Sequence, residues 1–248
     1  TNALSFEIWK NAVKQNEIAK ANTRGKYASN TYEISLAAAE KLTLVKHCIT
    51  GSSFHHAPEA LELHTKKALD KMSASSFEAH LQMSAAAWAK KWETTDVRID
   101  GDVKAQQAVR FNIYHLNQTY CGDDARLNIG PKGFTGEKYG GSTYWDTEAY
   151  CLPFFLVSAD SAISRQLLVY RYKQLNKAIE NAAKLGFTGG AALYPMVTMN
   201  GEECHNEWEI TFEEIHRTSA MAYAIRDYVD YTGDTKYFEE YVLEVLIG

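Results

Sequence analysis

The sequence lacks the features of several large protein classes. It has only four cysteines in 248 residues and no Cys-x-x-Cys pair, which favours reduced thiols over a disulfide framework or a zinc site. It has no apolar run of about 20 residues and no basic-then-apolar N-terminus, so neither a membrane span nor a signal peptide is predicted. The net charge of −5 provides no basic surface for a polyphosphate backbone, so nucleic acid is not an expected partner.

Motifs for nucleotide, serine-nucleophile and metal chemistry are also missing. The glycine-rich stretch lacks the G-x-G-x-x-G spacing and the GK[ST] ending of nucleotide-binding loops. There is no G-x-S-x-G turn and no HExxH, and the adjacent Cys204 and His205 are poorly placed to reach one ion together. We therefore expect neither a metal nor a cofactor.

The sequence does contain enough apolar residues for a sizeable core. With 46% hydrophobic residues, a chain of this length buries about 70 to 75% of its unfolded surface. Residues 1–6 lie within an alternating pattern, and residues 246–248 end the chain while an apolar helix face continues. We expect this chain to be a piece of a longer protein.

The hydrophobic period predicts strands first and helices afterwards. Period-two alternation predicts antiparallel strands at 4–8, 32–36 and 42–46, with a turn at 22–25. From Pro58 onward the apolar spacing is helical, because Pro is favoured in a first turn and the period becomes 3.6. After a helix that starts near Pro58, further helices are expected at 76–93, 103–119, 146–157, 161–175, 176–185, 213–231 and from 235 onward.

Residues 126–156 form the stretch with the strongest signal for function. Its glycines each cost about 1 kcal/mol in a helix interior relative to alanine, so a long loop is predicted, and such loops are usually functional. The loop leads to Trp145 and Asp146. An indole can cover the apolar face of a pyranose while a carboxylate accepts hydrogen bonds from its hydroxyls. Trp145 and Asp146 are therefore candidate substrate-binding residues.

The same residues also have a purely structural interpretation. Asp146 is a candidate helix N-cap, and Trp145 is then the apolar residue that precedes the cap. Glu148 falls in the first turn, where the helix dipole favours negative charge. The two interpretations are compatible, so both stand at this point.

A second stretch, residues 201–217, is rich in glutamate and histidine. Inverting sugar transfer needs a carboxylic acid that protonates the leaving oxygen, and on spacing alone Glu203 is the first candidate. Glu213 and Glu214 are expected in the first turn of a helix, where negative charge is favourable.

Several short motifs resemble those of glycoside hydrolase family 65. They are collinear over nearly the whole chain and lie at residues 106–112, 128–141, 144–148, 152–155, 170–172, 193–195 and 201–204. The resemblance implies a mainly helical fold: the end of an N-terminal β-sandwich at 1–55, a helical linker at 56–95, and the first half of an (α/α)6 barrel catalytic domain at 96–248.

The resemblance also implies an activity. The loop 205–213 looks most like that of the members that phosphorolyse maltose, in which inorganic phosphate attacks the anomeric carbon with inversion and gives β-D-glucose 1-phosphate and glucose. Maltose, glucose and phosphate as co-substrate are the implied partners of a cytoplasmic homodimer. The alternatives are phosphorolysis of trehalose, kojibiose or nigerose, hydrolysis by a family member, or a non-catalytic sugar-binding fragment.

The resemblance assigns roles to particular residues. Trp145 and Asp146 match the pair that holds the glucose of the −1 subsite. The segment that shapes the +1 subsite, for the second sugar, contains His205, Asn206, Glu207, Trp208 and Glu213.

The family's general acid is a glutamate in a Pro-Asp-Glu-Tyr-like motif, and this motif does not occur here. The acid and the phosphate-binding residues are therefore expected beyond Gly248, and Glu203 is withdrawn as a candidate. We expect no catalytic residue in this chain, and we expect the fragment alone to be inactive.

Overall fold

The structure is a computed structural model that describes residues 1–16, 18–131, 133, 141–204 and 213–248. It is mainly helical, with two small antiparallel sheets. The chain forms two compact units, Thr1–Ala87 and Trp88–Gly248, and the boundary falls inside the helix Phe77–Thr95. The candidate site residues all belong to the second unit.

The first unit contains the strands, which pair as two antiparallel sheets. The strands are β1 (Asn2–Lys10), β2 (Val13–Gln15), β3 (Lys20–Arg24), β4 (Tyr27–Thr31) and β5 (Leu42–Thr50). The order β2-β1-β5 forms one sheet, and β3 and β4 form a hairpin. The alternation at 4–8 and 42–46 correctly predicted β1 and β5.

The strand expected at 32–36 is wrong. The hairpin turns at Gly25, which has a φ of +53°, and Lys20 pairs with Thr31 at its open end. Because β3 begins at Lys20, it offers no ladder partner to residues beyond Thr31. Alternation alone does not produce a strand without a neighbour to bond with.

Helices follow the strands, as the change of period predicted. A 3-10 turn at Pro58–Ala60 leads into α1 (Leu61–Ser73), which packs on β1 and β5. The remaining α-helices are α2 (Phe77–Thr95), α3 (Val103–Thr119), α4 (Leu152–Ser158), α5 (Ser161–Tyr172), α6 (Leu175–Lys184), α7 (His216–Thr232), α8 (Thr235–Tyr237) and α9 (Leu243–Ile247).

Two π-helical turns, Thr147–Cys151 and Phe238–Val242, lead directly into α4 and α9. Two helix ends differ from the prediction by three residues: α5 ends at Tyr172 and not at 175, and α7 begins at His216 and not at 213. Glu213 and Glu214 therefore precede α7 and do not occupy its first turn, so the helix-dipole role expected for them is wrong.

The hydrophobic core of the second unit lies among α4, α5, α7 and the C-terminal segment, with Leu152, Phe155, Leu167, Tyr194 and Tyr228 at its centre. Trp88 and Trp92 are outside it.

Trp88 and Trp92 are partly buried, and Trp88 stacks on Tyr114 with ring centroids 4.8 Å apart. Trp88 therefore packs in the contact between α2 and α3. Within the described ranges no helix has the length and apolarity needed to cross a membrane. The barrel layers and the domain bounds at 55 and 95 stay predictions.

Candidate functional site

A pair of backbone hydrogen bonds connects the first candidate stretch to the segment that immediately precedes the second. The N–H of Thr143 donates to the carbonyl of Thr198 at 2.7 Å, and the N–H of Thr198 donates back at 3.1 Å. The hydroxyls of Thr143 and Tyr170 are 3.2 Å apart, and Tyr170 donates to the carbonyl of Met199 at 2.9 Å. Thr143, two residues before Trp145, is therefore anchored to the segment that precedes the second stretch and to α5.

The start of the glycine-rich stretch packs against residues that flank Trp145 and Asp146 in the chain. A Cβ on Gly130 would lie 2.5 Å from the carbonyl oxygen of Ser142, so only glycine allows this approach. The buried hydroxyl of Thr147 donates to the carbonyl of Ile129 at 2.6 Å. Residues 134–140, the rest of the predicted loop, lie outside the described part of the chain.

Trp145 and Asp146 are both partly buried. The ring of His216 meets the indole edge to face, with centroids 5.0 Å apart and planes at 88°. Tyr150 lies 5.8 Å from the same indole. Because aromatic pairs favour such edge-to-face contacts, His216 at the start of α7 restricts the plane of Trp145 while part of its surface stays exposed.

The carboxylate of Asp146 does not cap the turn that follows it. Its backbone is already helical, with φ −54° and ψ −30°, and its side chain makes no capping hydrogen bond to the turn Thr147–Cys151. The N-cap interpretation of Asp146 is therefore wrong. Asp160 shows the difference, since its carboxylate accepts a capping hydrogen bond from the N–H of Ala162 at 2.9 Å.

Glu148 and Arg171 form a buried ion pair that sequence reasoning missed. Glu148 is 1% exposed and Arg171 is 2% exposed. Nε of Arg171 donates to Oε1 of Glu148 at 2.7 Å, and Nη2 donates to Oε2 at 3.0 Å. Nη2 also donates to the carbonyl of Tyr144 at 3.2 Å. Burial lowers the pKa of Arg171, but the charge and hydrogen bonds of Glu148 outweigh it and leave that pKa raised.

The sequence does contain a signal for this pair. Arg171 follows the apolar run 167–170 in a predicted helix, and a charged residue that continues a buried run needs a partner. The first-turn position expected for Glu148 is correct, because Glu148 lies in the turn Thr147–Cys151. The position does not reveal that its carboxylate points inward to Arg171.

Glu203 shapes the loop in the second stretch. Its carboxylate accepts the N–H groups of Met196 at 2.7 Å and Val197 at 3.0 Å. It also lies 4.0 Å from Arg217, whose pKa is lowered by burial and raised in part by Glu203 and Glu214. A cavity of about 280 Å³ lies beside Glu203 and Arg217. These contacts give Glu203 a structural role.

The acceptor-loop residues His205, Asn206, Glu207 and Trp208 lie outside the described residues. Glu213 is exposed, and its carbonyl accepts the N–H of Ile215 at 3.0 Å. The role of this loop in sugar recognition stays a prediction.

Cys151 is expected to resist alkylation in the folded protein. It is 8% exposed, and burial, together with Glu148 and Asp146, raises the pKa of its thiol to about 12. Because the thiolate is the reactive form, iodoacetamide at about pH 8 should modify it on the order of a thousandfold more slowly than a free thiol. Mass spectrometry of the Cys151 peptide, labelled before and after unfolding in guanidinium, measures this. Equal rates in the two states would contradict the burial.

Comparison with known proteins provides the context for this geometry. The model of the "Glycosyl hydrolase family 65 central catalytic domain" matches residues 110–248. Maltose phosphorylase of Bacillus subtilis (strain 168) is 49% identical over 222 residues, which are 90% of this chain and 28% of that protein. Alpha,alpha-trehalose phosphorylase of Geobacillus stearothermophilus is 34% identical over 88% of this chain and 27% of that protein.

A solved structure from the human microbiome, whose name refers to kojibiose phosphorylase, matches with a TM-score of 0.77 and 27% identity. The match covers 99% of this chain and 32% of that one. The chain thus spans less than a third of the length of these relatives. Since the family model covers more than half of the chain, and the candidate residues lie within the match, this chain belongs to glycosyl hydrolase family 65.

Proposed function

We propose that the full-length protein containing this chain is a disaccharide phosphorylase that cleaves maltose with inversion. The observation that carries the proposal is that Trp145 and Asp146 are partly exposed while the residues on either side of them are buried, within a family 65 domain. The identity of 49% to a protein named maltose phosphorylase, against 34% to one named for trehalose, favours maltose as the substrate.

The residues of this chain would bind and orient the donor sugar. Trp145 covers the apolar face of the glucose in the −1 subsite, and Asp146 accepts hydrogen bonds from its hydroxyls. Phosphate attacks the anomeric carbon from the opposite side while a carboxylic acid protonates the leaving oxygen. The acid and the phosphate-binding residues belong, in this proposal, to the part of the protein beyond Gly248, and the protein works as a cytoplasmic homodimer.

Phosphate dependence tests the proposed reaction directly. The purified full-length protein is incubated with maltose, with and without inorganic phosphate, and free glucose and the anomer of glucose 1-phosphate are followed by NMR. We expect release only with phosphate, and the β-anomer as the first product. Release without phosphate would indicate a hydrolase, and no release from any disaccharide would indicate a binding protein. Faster cleavage of trehalose, kojibiose or nigerose would reassign the substrate.

Trp145→Ala in the full-length protein is expected to raise KM for maltose. The substitution removes the apolar surface on which the sugar ring rests, and burial of apolar surface contributes about 25 cal/mol per Å². KM should therefore rise at least several-fold, and Trp145→Phe should recover part of the loss. Steady-state kinetics measure this, with Trp88→Ala as the control because Trp88 stacks on Tyr114 in the contact between α2 and α3. Unchanged kinetics for Trp145→Ala would assign Trp145 a packing role alone.

Exchanging the loop 205–213 for that of a trehalose-cleaving relative is expected to change the acceptor sugar. The proposal assigns the +1 subsite to this loop, so the exchange should alter which acceptor reacts with β-glucose 1-phosphate in the reverse reaction. Relative rates over a panel of acceptor sugars measure this. An unaltered acceptor profile in a folded, active variant would refute the role of the loop.

A further inference from the structure

We propose that Glu148 and Arg171 are a positioning pair, which holds Trp145 and Asp146 in the orientation that binds the donor sugar. The inference rests on the proposed function, because it presumes that these two residues contact a glucosyl group. Neither Glu148 nor Arg171 is expected to touch the sugar, since both are almost completely buried.

The guanidinium of Arg171 holds both sides of the candidate dipeptide. On one side, its Nη2 binds the carbonyl of Tyr144 at 3.2 Å. On the other side, its Nε and Nη2 bind the two oxygens of Glu148. Trp145 and Asp146 lie between these two anchor points. One planar group on α5 therefore holds the backbone carbonyl that precedes them and the Glu148 side chain that follows them.

The local backbone makes this restraint effective. The carbonyl of Tyr144 also accepts the N–H of Thr147 at 3.2 Å, and the carbonyl of Trp145 accepts the N–H groups of Glu148 and Ala149 at 3.1 and 3.0 Å. The segment is thus a closed turn that leads into a π-helical turn, a local structure that is frequent at functional sites. Arg171 attaches this turn to the core.

Stability alone is a poor explanation for such a pair. Replacing a buried ion pair by apolar residues of similar volume is often neutral or stabilising. The pair is also incompletely satisfied, since Nη1 of Arg171 is buried with no hydrogen-bond partner among the described atoms. A guanidinium in a fixed fork does, however, supply a geometry that apolar packing cannot, because it sets two acceptors in one plane.

The double variant Glu148→Leu/Arg171→Met of the full-length protein tests the proposal. It removes both charges together, so no unpaired charge stays buried, and its melting temperature should change little. We expect kcat/KM for maltose to fall at least tenfold. The double variant is then combined with Asp146→Ala. If the pair acts through Asp146, the double substitution should lower kcat/KM less than threefold when Asp146 is already alanine, since the effects of coupled residues are not additive.

The outcomes separate the inference from the function on which it rests. Equal fold-losses in the two backgrounds, or no loss in the wild-type background, would overturn the positioning role even if Asp146 is essential. No loss from Asp146→Ala alone would overturn the sugar-binding role proposed for Asp146 and the inference with it, whereas the proposed reaction itself fails only if cleavage of maltose does not depend on phosphate. Arg165→Met is the matched control, because Arg165 is on the same helix but pairs with Asp234 and Glu240; its kinetics should not change.

Arg171→Lys provides a second variant in case the double variant does not fold. It keeps the charge but loses the bidentate fork. Its kcat/KM for maltose should fall at least tenfold in the otherwise wild-type protein. In the Asp146→Ala protein the same substitution should lower kcat/KM less than threefold. Wild-type kinetics for a folded Arg171→Lys protein would overturn the proposal.

Discussion

Asp146→Ala in the full-length protein is expected to lower kcat/KM for maltose at least tenfold, and more than a hundredfold if two hydroxyl contacts are lost. A hydrogen bond to a charged group contributes about 1.5–3 kcal/mol, and about 1.4 kcal/mol corresponds to a factor of ten. Asp146→Asn keeps the acceptor oxygen without the charge, so its loss should be smaller. The kcat/KM values for phosphorolysis of maltose by the wild-type, Asp146→Ala and Asp146→Asn proteins, measured at steady state, give the order of these effects.

Asp160→Ala is the matched control for this prediction. Asp160 is an aspartate that does cap a helix, with its carboxylate 2.9 Å from the N–H of Ala162. Its removal should cost about 1 kcal/mol of stability and leave kcat/KM unchanged. If Asp146→Ala instead behaves like Asp160→Ala, with a lower melting temperature and normal kinetics, Asp146 has only a local structural role.

Arg171→Met alone is expected to be the most destabilising of the single substitutions considered for this site. It leaves the carboxylate of Glu148 buried at 1% exposure without its cation, and breaking a buried pair in this way costs about 3–5 kcal/mol. It also removes the donor to the carbonyl of Tyr144. The melting temperature of the full-length protein, measured by calorimetry, should therefore fall by several degrees.

A control variant and a rescue variant accompany this prediction. Arg165→Met breaks partly exposed ion pairs with Asp234 and Glu240, which contribute about 0–1 kcal/mol, so its melting temperature should change little. Adding Glu148→Leu to Arg171→Met should restore most of the lost stability, because the unpaired charge is removed. A melting temperature of Arg171→Met as high as that of Arg165→Met would mean that the buried pair is not maintained in solution.

Much of the local structure could be predicted because it depends on neighbours in the chain. The period of the apolar residues located α3 at Val103–Thr119, and Asp102 caps it by accepting the N–H of Ala105 at 3.0 Å. The α6 helix ends at Lys184, and Gly186 follows with a φ of +86°. Such ends follow from short-range backbone chemistry.

The failed predictions have different causes: the N-cap expected at Asp146 failed because its own backbone is already helical, whereas the strand expected at 32–36 failed for lack of a partner. The segment 32–36 alternates like a strand but has no paired neighbour, since the hairpin already ends at Thr31.

The candidate site shows the same division. Trp145 and Asp146 could be selected as candidates from the sequence, because an indole next to a carboxylate can cover the apolar face of a sugar and accept hydrogen bonds from its hydroxyls. Folding alone brings His216 against Trp145 and Arg171 against Glu148, pairs that are 71 and 23 positions apart in the chain. The sequence by itself determined the change from strands to helices, several helix ends and the chemical groups that are available, since these follow from local backbone preferences. The tertiary structure decided which carboxylate is buried and which keeps exposed surface, because burial depends on what the rest of the chain packs against each group.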